Sequence, residues 1–184
     1  MNHLLGQKVS ITSRKPQTTR HRIHGILTRD HYQIVFADTP GIHSGEERAL
    51  NRYMNQAALS ALGGVDVVCF MVDSVKWTAA DEHVLKLLPQ DGTPVILLIN
   101  KTDKIDDKEA LLPHIQQLCS LRQFDEVIPV SALQGHNLDA LEAALAKRLP
   151  ESPFWFDEDQ ITDRSVRFMV AEIIREKVMR QLGD

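Results

Sequence analysis

A run of five apolar residues at 95–99, Val-Ile-Leu-Leu-Ile, leads directly into the polar sequence Asn-Lys-Thr-Asp at 100–103. An uninterrupted apolar run of this length is typical of a strand buried on both faces, as in a parallel sheet covered by helices. Residues 65–73 and 125–131 contain similar runs, which predict two further strands of the same kind. We therefore expect a parallel sheet whose strands are separated along the chain by covering helices.

Segments with a helical pattern separate these strands, and they lie at 45–62, 79–88, 108–121 and 137–149. Alternating strands and helices predict an α/β fold with a doubly wound, mostly parallel sheet. A strand at 31–38 follows the basic segment 20–29 at hairpin distance, so one edge of the sheet is expected to be antiparallel. Ligands of such sheets bind beyond the carboxyl ends of the strands. Four polar residues stand at those ends: Asp38, Asp73, Asn100 and Ser131.

The composition is that of an ordinary globular protein. The chain has 184 residues, a net charge of −4 and 43% hydrophobic residues, so no overall charge bias favours nucleic acid or membrane. The longest apolar run, 67–72, is far shorter than the ~20 residues that span a bilayer. Because the N-terminus has no secretory signature, the cytoplasm is the expected location. Cys69 and Cys119 lie in apolar surroundings outside any C-x-x-C pair, and we expect them to be core thiols.

The residue types at 100–103 suit the recognition of guanine. Guanine presents two adjacent hydrogen-bond donors, which one carboxylate accepts together in a charge-assisted pair, and Asp103 is the candidate. Adenine lacks this donor pair and would be rejected. Asn100 is expected to tie neighbouring loops together and touch the base, while the stem of Lys101 packs over the base plane. The alternative is an ordinary polar turn, and the position directly after a buried parallel strand favours guanine.

The next strand is followed by Ser131 and Ala132. Two small residues let backbone N–H groups approach the guanine oxygen. Ser-Ala is common in loops, so this pair is a weak indication by itself. Its position at the end of the strand after Asn100 favours a role in the same site.

The sequence Asp38-Thr39-Pro40-Gly41 follows the strand at 31–38. An aspartate at this point can hold Mg²⁺ through water. Gly41 permits close approach of the backbone, so that its N–H can reach a terminal phosphate. The alternative is a plain turn, because Pro-Gly marks turns in general. The order of this segment before the two other loops favours the nucleotide-binding interpretation.

A threonine in the upstream segment 15–23 can complete the Mg²⁺ shell when a γ-phosphate is present. Thr19 is the first candidate and Thr18 the alternative. The predicted switch segment consists of Gln17, Thr18, Thr19 and Arg20. The basic residues around it are expected to form a solvated loop, and with His21 they could contact RNA phosphates as a group.

The order of the threonine loop, D-x-x-G, N-K-x-D and S-A-x is that of the GTPase motifs in P-loop GTPases. With "SITSRKPQTTRHRI", "DTPGIH", "LNRYMNQAA" and "ITDRSVRFMVAEIIREKVMRQLG", essentially the whole chain resembles Era-like GTPases of the TrmE–Era–EngA class. The resemblance implies GTP or GDP and Mg²⁺ as cofactors and GTP hydrolysis as the activity. It further implies a role in small ribosomal subunit maturation, binding of ribosomal RNA, and peripheral association with the inner membrane.

By the same resemblance, Asp38 and Thr19 are Mg²⁺-shell residues and Gly41 senses the γ-phosphate. The guanine-reading residues are Asn100, Lys101, Asp103, Ser131 and Ala132, and Thr102 is counted with them as nucleotide-binding. Ile42 stands where many small GTPases have a glutamine that orients the attacking water, so no catalytic group is assigned. His43 lies close in sequence, and we expect it to be a solvent-facing switch residue.

The sequence departs from the family pattern in two places. None of its nine glycines belongs to a G-x-x-x-x-G-K-[ST] phosphate-binding loop, and no G-x-x-G motif of a KH-type RNA-binding domain occurs. We expect a GTPase domain over 1–150 that lacks its first strand and P-loop, followed by a linker and helix over 151–184 that lead to an absent KH domain. Such a chain is expected to be unstable and to bind GTP weakly or not at all.

A different class of function is also consistent with the sequence, namely a degenerate, non-hydrolysing GTPase-like module that binds RNA or a protein partner. The final helix, predicted at 163–184, bears on this alternative. Thr162 or Asp163 can cap it and Gly183 can end it. Its apolar face is expected to dock against a neighbouring domain, with contact of its basic side to RNA or a membrane surface as the alternative.

Overall fold

The computed structural model describes residues 1–13, 18–42, 49–105, 109 and 111–181. The chain divides into two compact units, one formed by Met1–Gly63 with Ser152–Asp184 and the other by Gly64–Glu151. The strands form two sheets, one in each unit, and the α/β class is confirmed. Among the described residues no strand pairs with both sheets.

The second unit contains a parallel sheet in the order β3-β4-β5, with strands Val68–Asp73, Val95–Asn100 and Glu126–Pro129. Its helices are α3 (Ala79–Leu87), α4 (Leu111–Leu121) and α5 (Leu138–Ala146). The register pairs Asp73 with Asn100 at the carboxyl ends of β3 and β4. The five apolar residues of β4 are all buried, as their uninterrupted run predicted. The sheet therefore presents its polar strand ends at one edge, where the candidate site lies.

Strand β3 departs from the prediction of burial on both faces. Val68, Phe70 and Val72 are buried, whereas Cys69 and Met71 are exposed. β3 is at the edge of its three-stranded sheet. The expectation that both cysteines are core thiols is wrong, because the thiol-bearing Cys119 is exposed as well.

In the first unit, β1 (Ile23–Arg29) and β2 (Tyr32–Asp38) form the predicted antiparallel hairpin. Helices α1 (Asn2–Leu5) and α2 (Ala49–Leu62) belong to the same unit, and residues 45–48 of the predicted helix lie outside the described residues. Gly25 lies in the middle of β1 because a Cβ there would come within 2.6 Å of Met1 and 2.7 Å of Leu5. Helix α1 therefore packs directly over the backbone of this strand.

The segment between residues 152 and 163 lies along the hairpin. The backbone N–H of Ile26 donates to the carbonyl oxygen of Ile161 at 2.9 Å, which extends the pairing of β1. On β2, the side-chain oxygen of Gln33 accepts the backbone N–H groups of Trp155 and Phe156, both at 3.0 Å. Specific hydrogen bonds therefore fix this irregular segment to the hairpin.

Helix α6 (Val166–Gln181) begins later than predicted and with a different cap. The Ser165 hydroxyl accepts the backbone N–H of Phe168 at 3.3 Å. Thr162 instead donates to the carbonyl oxygen of His24 at 2.7 Å, and Asp163 accepts the His24 N–H at 3.3 Å. Both expected capping residues thus bond to the backbone of β1 and do not cap α6. Gly183, the expected end of the helix, lies outside the described residues.

Helix α6 buries its acidic residues and exposes its valines and isoleucines. Glu172 and Glu176 are its buried side chains, whereas Val166 is 79% exposed. Glu176 forms an ion pair with Lys8 through Oε2. Its Oε1 forms an ion pair with Arg180 at 2.9 Å and accepts the Thr12 N–H at 3.0 Å. The charged face of α6 is therefore the one that packs within this unit.

The stability contribution of Glu176 is expected to depend on pH. Burial alone would raise its pKa, but hydrogen bonds from Lys8 and Thr12 and the charges of Lys8 and Arg180 outweigh burial and lower the pKa below the ordinary 4.5. A lowered folded-state pKa contributes stability above the ordinary value, and this is lost as the pH falls through the folded-state pKa. We expect Glu176→Gln to cost about 1–3 kcal/mol at neutral pH.

Urea unfolding of wild type and Glu176→Gln across the acidic range measures this dependence. The difference between the two proteins should be full above pH 4.5 and shrink below it. Glu158→Gln, at an exposed position, is the matched control and should differ little from wild type throughout. A difference for Glu176→Gln that stays constant with pH would contradict the prediction.

In the described part of the chain, no helix is both long and apolar enough to cross a membrane.

Candidate functional site

The predicted site residues fall into two groups, one in each unit. The second unit carries the group at the carboxyl ends of β4 and β5. Strand β4 ends at Asn100, and Lys101 then adopts a left-handed conformation with φ of 67°. This conformation reverses the chain into a short 3₁₀ turn, Thr102–Lys104. The turn places Asp103 directly beyond the strand, where ligands of parallel sheets bind.

Asn100 joins the two loops of this group. Its side-chain oxygen accepts the backbone N–H of Lys101 at 2.8 Å and that of Ala132 at 3.0 Å. A second link comes from the Thr102 N–H, which donates to the carbonyl oxygen of Val130 at 3.2 Å. The loops after β4 and β5 are therefore held as one structure by a side chain that the sequence pattern singled out.

Asp103 and Ser131 are in direct contact. The Ser131 hydroxyl is fully buried and donates to Oδ1 of Asp103 at 2.5 Å, while it accepts the Gln134 N–H at 3.2 Å. The Ser131 hydroxyl bonds only to Oδ1 of Asp103 and not to the second carboxylate oxygen, Oδ2. A carboxylate oriented by a buried hydroxyl is preorganised to accept hydrogen bonds from a base.

Lys101 is paired with Asp73, at the end of the neighbouring strand. Its ammonium nitrogen lies 2.8 Å from Oδ2 of Asp73. Burial alone would raise the pKa of Asp73, but the hydrogen bond and charge of Lys101, with the Val75 N–H, outweigh burial and lower the pKa. A cleft of about 210 Å³ beside this pair is lined by Met71, Val72, Asp73, Asn100 and Lys101.

Replacement of Asn100 by alanine is expected to release both loops. Two backbone N–H groups lose their acceptor, which corresponds to a loss of about 1–2 kcal/mol in the free energy of unfolding. Urea denaturation measures this loss, and amide resonances of Lys101 and Ala132 should shift together. Gln116→Ala, on the exposed face of α4, is the control and should leave both unchanged. A shift confined to Lys101 would contradict the role of Asn100 as the joining side chain.

The first unit carries the group around Asp38, at the end of β2. The Ser10 hydroxyl donates to Oδ2 of Asp38 at 2.5 Å, and the Thr19 hydroxyl lies 3.5 Å from the same oxygen. Burial raises the pKa of Asp38, and the hydrogen bonds from Ser10 and Thr19 offset part of this effect. Of the two candidate threonines, Thr19 is the one that the structure places with its hydroxyl against Asp38.

This group fits a magnesium ion. A carboxylate and two hydroxyls are hard oxygen donors, the kind that Mg²⁺ prefers, and Mg²⁺ usually completes its shell with water and phosphate oxygens. Burial raises the pKa of Asp38, and a nearby cation would favour the charged form of this carboxylate. No cluster of three or more His, Cys, Asp or Glu side chains occurs in the described residues, so a closed all-protein cage is not formed there.

The remaining predicted residues differ in their surroundings. Pro40 is fully buried and Gly41 is exposed, while Thr39 and Ile42 are half-buried. Arg20 is exposed, and Gln17 and His43 lie outside the described residues. Ile42 has no group that titrates, so it cannot act as a base.

Two contacting residues were missed by sequence reasoning. Ser10 begins one of the quoted segments but received no role, and only the folded chain brings it to Asp38, 28 positions away. Asp73 was noted at a strand end but received no role, although its equivalence with Asn100 in the sheet register explains its contact with Lys101. The alignment of strand ends in a parallel sheet was the signal that could have identified Asp73.

One unit thus contains two loops joined by an asparagine and an oriented aspartate, and the other contains a carboxylate–hydroxyl group. The sequence matches the family model described as 50S ribosome-binding GTPase over residues 1–101, so the chain belongs to this GTPase family.

Individual relatives narrow the comparison. GTPase Era of Marinobacter nauticus is 58% identical over 183 residues, covering 100% of this chain and 60% of the relative. GTPase Era of Pseudomonas fluorescens is 57% identical over 183 residues, covering 100% of this chain and 61% of the relative. The chain thus spans about 60% of the length of these relatives. The resemblance to Era-like GTPases is confirmed.

Solved structures show the same similarity. Era in complex with MgGDPNP and nucleotides 1506–1542 of 16S ribosomal RNA matches with a TM-score of 0.93 and 41% identity, covering 97% of this chain and 61% of that one. A variant of Aquifex aeolicus Era bound to GDP·AlF₄⁻ matches with a TM-score of 0.92 and 41% identity, covering 97% and 61%. The predicted fold class is that of these GTPases.

Proposed function

We propose that this chain is the switch portion of a GTP-binding and GTP-hydrolysing protein of small ribosomal subunit assembly. The observation that carries the proposal is the junction made by Asn100, which holds the Asp103 loop to the Ser131–Ala132 loop. A bidentate acceptor for guanine requires such a fixed carboxylate. Family membership and the relatives bound to MgGDPNP and to GDP support guanine nucleotides as the ligands.

In this proposal, Asp103 accepts the two guanine donors and the backbone of Ser131 and Ala132 meets the guanine oxygen. Lys101 covers the base with its stem, and its ammonium group remains on Asp73. The contact of Asp103 with the buried Ser131 hydroxyl orients the carboxylate before the base arrives. Selection of guanine over adenine follows, because adenine would leave Asp103 without donors.

Asp38, Thr19 and Ser10 are the residues that would hold Mg²⁺, with Gly41 offering a backbone N–H to a terminal phosphate. When bound, the ion neutralises phosphate charge during phosphoryl transfer. The chain's own part is to orient oxygen donors around the half-buried Asp38. No catalytic base is assigned, since Ile42 supplies no proton acceptor.

The proposed domain organisation is a GTPase domain over 1–150 and a linker with helix over 151–184. Ribosomal RNA of the small subunit is the proposed partner, supported by the relative solved with a 16S rRNA segment. We propose the cytoplasm as the place of action, with peripheral contact to the inner membrane as a further expectation.

Equilibrium binding of fluorescent GDP to the purified chain tests the proposal, with and without Mg²⁺ and with ATP as competitor. We expect weak, saturable binding that ATP does not displace, because the guanine loops are formed while the sequence contains no G-x-x-x-x-G-K-[ST] motif. Absence of saturable binding, or displacement by ATP as effective as by GTP, would refute the proposal for this chain and favour a module that binds RNA or protein without nucleotide.

A further inference from the structure

Helix α6 contacts the predicted switch segment through Arg175. One terminal nitrogen of its guanidinium donates to the carbonyl oxygen of Thr18 at 2.7 Å. Glu172, one turn earlier on the helix, binds the same guanidinium in a bidentate pair, with distances of 2.9 and 2.6 Å. Both side chains are mostly buried. A planar guanidinium held in this way has little freedom, so its hydrogen bond to Thr18 is preorganised.

The next charged residue of the same helix face holds an earlier part of the chain. Glu176 is fully buried and accepts the Thr12 N–H at 3.0 Å and the Thr12 hydroxyl at 3.2 Å. Arg180 donates to the Thr12 carbonyl oxygen at 3.2 Å. Helix α6 therefore fixes the backbone at Thr12 and again at Thr18, on both sides of residues 14–17.

We propose that Arg175 is a positioning residue for the magnesium site. The carbonyl group that it holds belongs to the peptide bond between Thr18 and Thr19, so fixing this oxygen restricts the backbone from which the Thr19 side chain projects. The Thr19 hydroxyl lies 3.5 Å from the Asp38 carboxylate. Arg175 thus acts on the metal shell through Thr19 without touching the ion. This inference rests on the proposed function, because it assigns the metal to that site.

The proposal separates two roles that α6 can have. If the helix only stabilises the fold, loss of Arg175 weakens every ligand state equally. If Arg175 positions Thr19, its loss acts selectively on the state in which Thr19 contributes to the Mg²⁺ shell. The exposed Arg167, on the same helix, provides a matched Arg→Ala control.

The first measurement is the backbone order of Thr18 and Thr19 by ¹⁵N relaxation, on the nucleotide-free chain. We expect an order parameter near 0.85 in wild type and in Arg167→Ala, falling below about 0.6 in Arg175→Ala. Arg175→Lys keeps a donor for the carbonyl but loses the fork that fits Glu172, so it should give an intermediate value. Unchanged order in Arg175→Ala would overturn the inference without any reference to nucleotide.

The second measurement compares a fluorescent GTP analogue with Mg²⁺ against GDP without Mg²⁺. Arg175→Ala should lower the affinity for the GTP analogue with Mg²⁺ about tenfold, as expected for the loss of a hydrogen bond from a charged group. Its affinity for GDP without Mg²⁺ should stay within about twofold of wild type. Equal weakening of both would overturn the positioning role in favour of a structural one. If wild type binds neither nucleotide, the proposed function fails. If wild type binds both and Arg175→Ala binds them as Arg167→Ala does, the proposed function stands and the positioning role of Arg175 is refuted.

Discussion

Replacement of Asp103 by asparagine is expected to reverse the base preference of the site from guanine to xanthine. Guanine offers a ring N–H and an amine, both donors, to the carboxylate. Asparagine supplies one acceptor and one donor, so it faces the guanine amine with an N–H group and loses a hydrogen bond. Xanthine has a carbonyl oxygen in place of that amine and matches the amide.

The expected loss is about 10- to 100-fold in GDP affinity, because a hydrogen bond to a charged group contributes about 1.5–3 kcal/mol. The fold should survive, since an asparagine oxygen can still accept the Ser131 hydroxyl that now bonds to Asp103. Titration of wild type and Asp103→Asn with fluorescent GDP and with XDP gives both affinities.

Asp139→Asn, at an exposed position in the first turn of α5, is the matched control and should retain the preference for guanine. If Asp103→Asn binds GDP as tightly as wild type does, the carboxylate does not read the base. Weaker binding of GDP without any gain for XDP would show that the effect of the substitution is not one of base recognition.

Truncation of Leu97 to alanine is expected to have the largest effect on stability. Leu97 is 0% exposed in the central strand β4, where the register places it between Phe70 of β3 and Val127 of β5. Removing a fully buried leucine side chain costs its transfer free energy and leaves a cavity, which together amount to about 2–5 kcal/mol.

Leu133 allows the same substitution at an exposed position of the same unit, since its side chain is 77% exposed. Leu133→Ala should change the free energy of unfolding by no more than about 0.5 kcal/mol. Urea denaturation with an unchanged slope for both variants isolates the stability term. Comparable losses in the two variants would show that β4 is not the core of this unit.

The loss in Leu97→Ala should also reach the site. Strand β4 ends at Asn100, three residues after Leu97, and Asn100 joins the two loops. A less stable β4 increases local opening of the loops, so GDP binding should weaken together with stability.

Much of this architecture was predictable from local pattern. A continuous apolar run predicts a strand buried on both faces, and the polar residues after it must lie at the carboxyl edge of a parallel sheet. On this basis Asn100, Asp103 and Ser131 could be expected near one another, and the structure bonds Ser131 to Asp103 and the adjacent Ala132 to Asn100. The hairpin of β1 and β2 was predictable for the same reason, because its two strands are adjacent in sequence.

Helix boundaries and caps were less predictable. Thr162 and Asp163 are good capping residues, but both bond to His24 on β1. A side chain that can cap a helix can also bond to a strand, and the sequence does not show which partner comes within reach. The exposed face of β3 escaped prediction for a related reason, since an apolar run does not reveal whether anything covers each face.

The chemistry of the site divides in the same way. The sequence alone determined the sheet strands, the polar loops after β4 and β5 and Asp38 as a carboxylate after a strand, because each depends on neighbouring residues. Only the tertiary structure decided that Ser10 meets Asp38 and that α6 buries Glu176 while Val166 is exposed. A carboxylate can be buried only where cations and N–H donors surround it, and for Glu176 these come from Lys8 and Thr12, 168 and 164 positions away, which only the folded chain brings together.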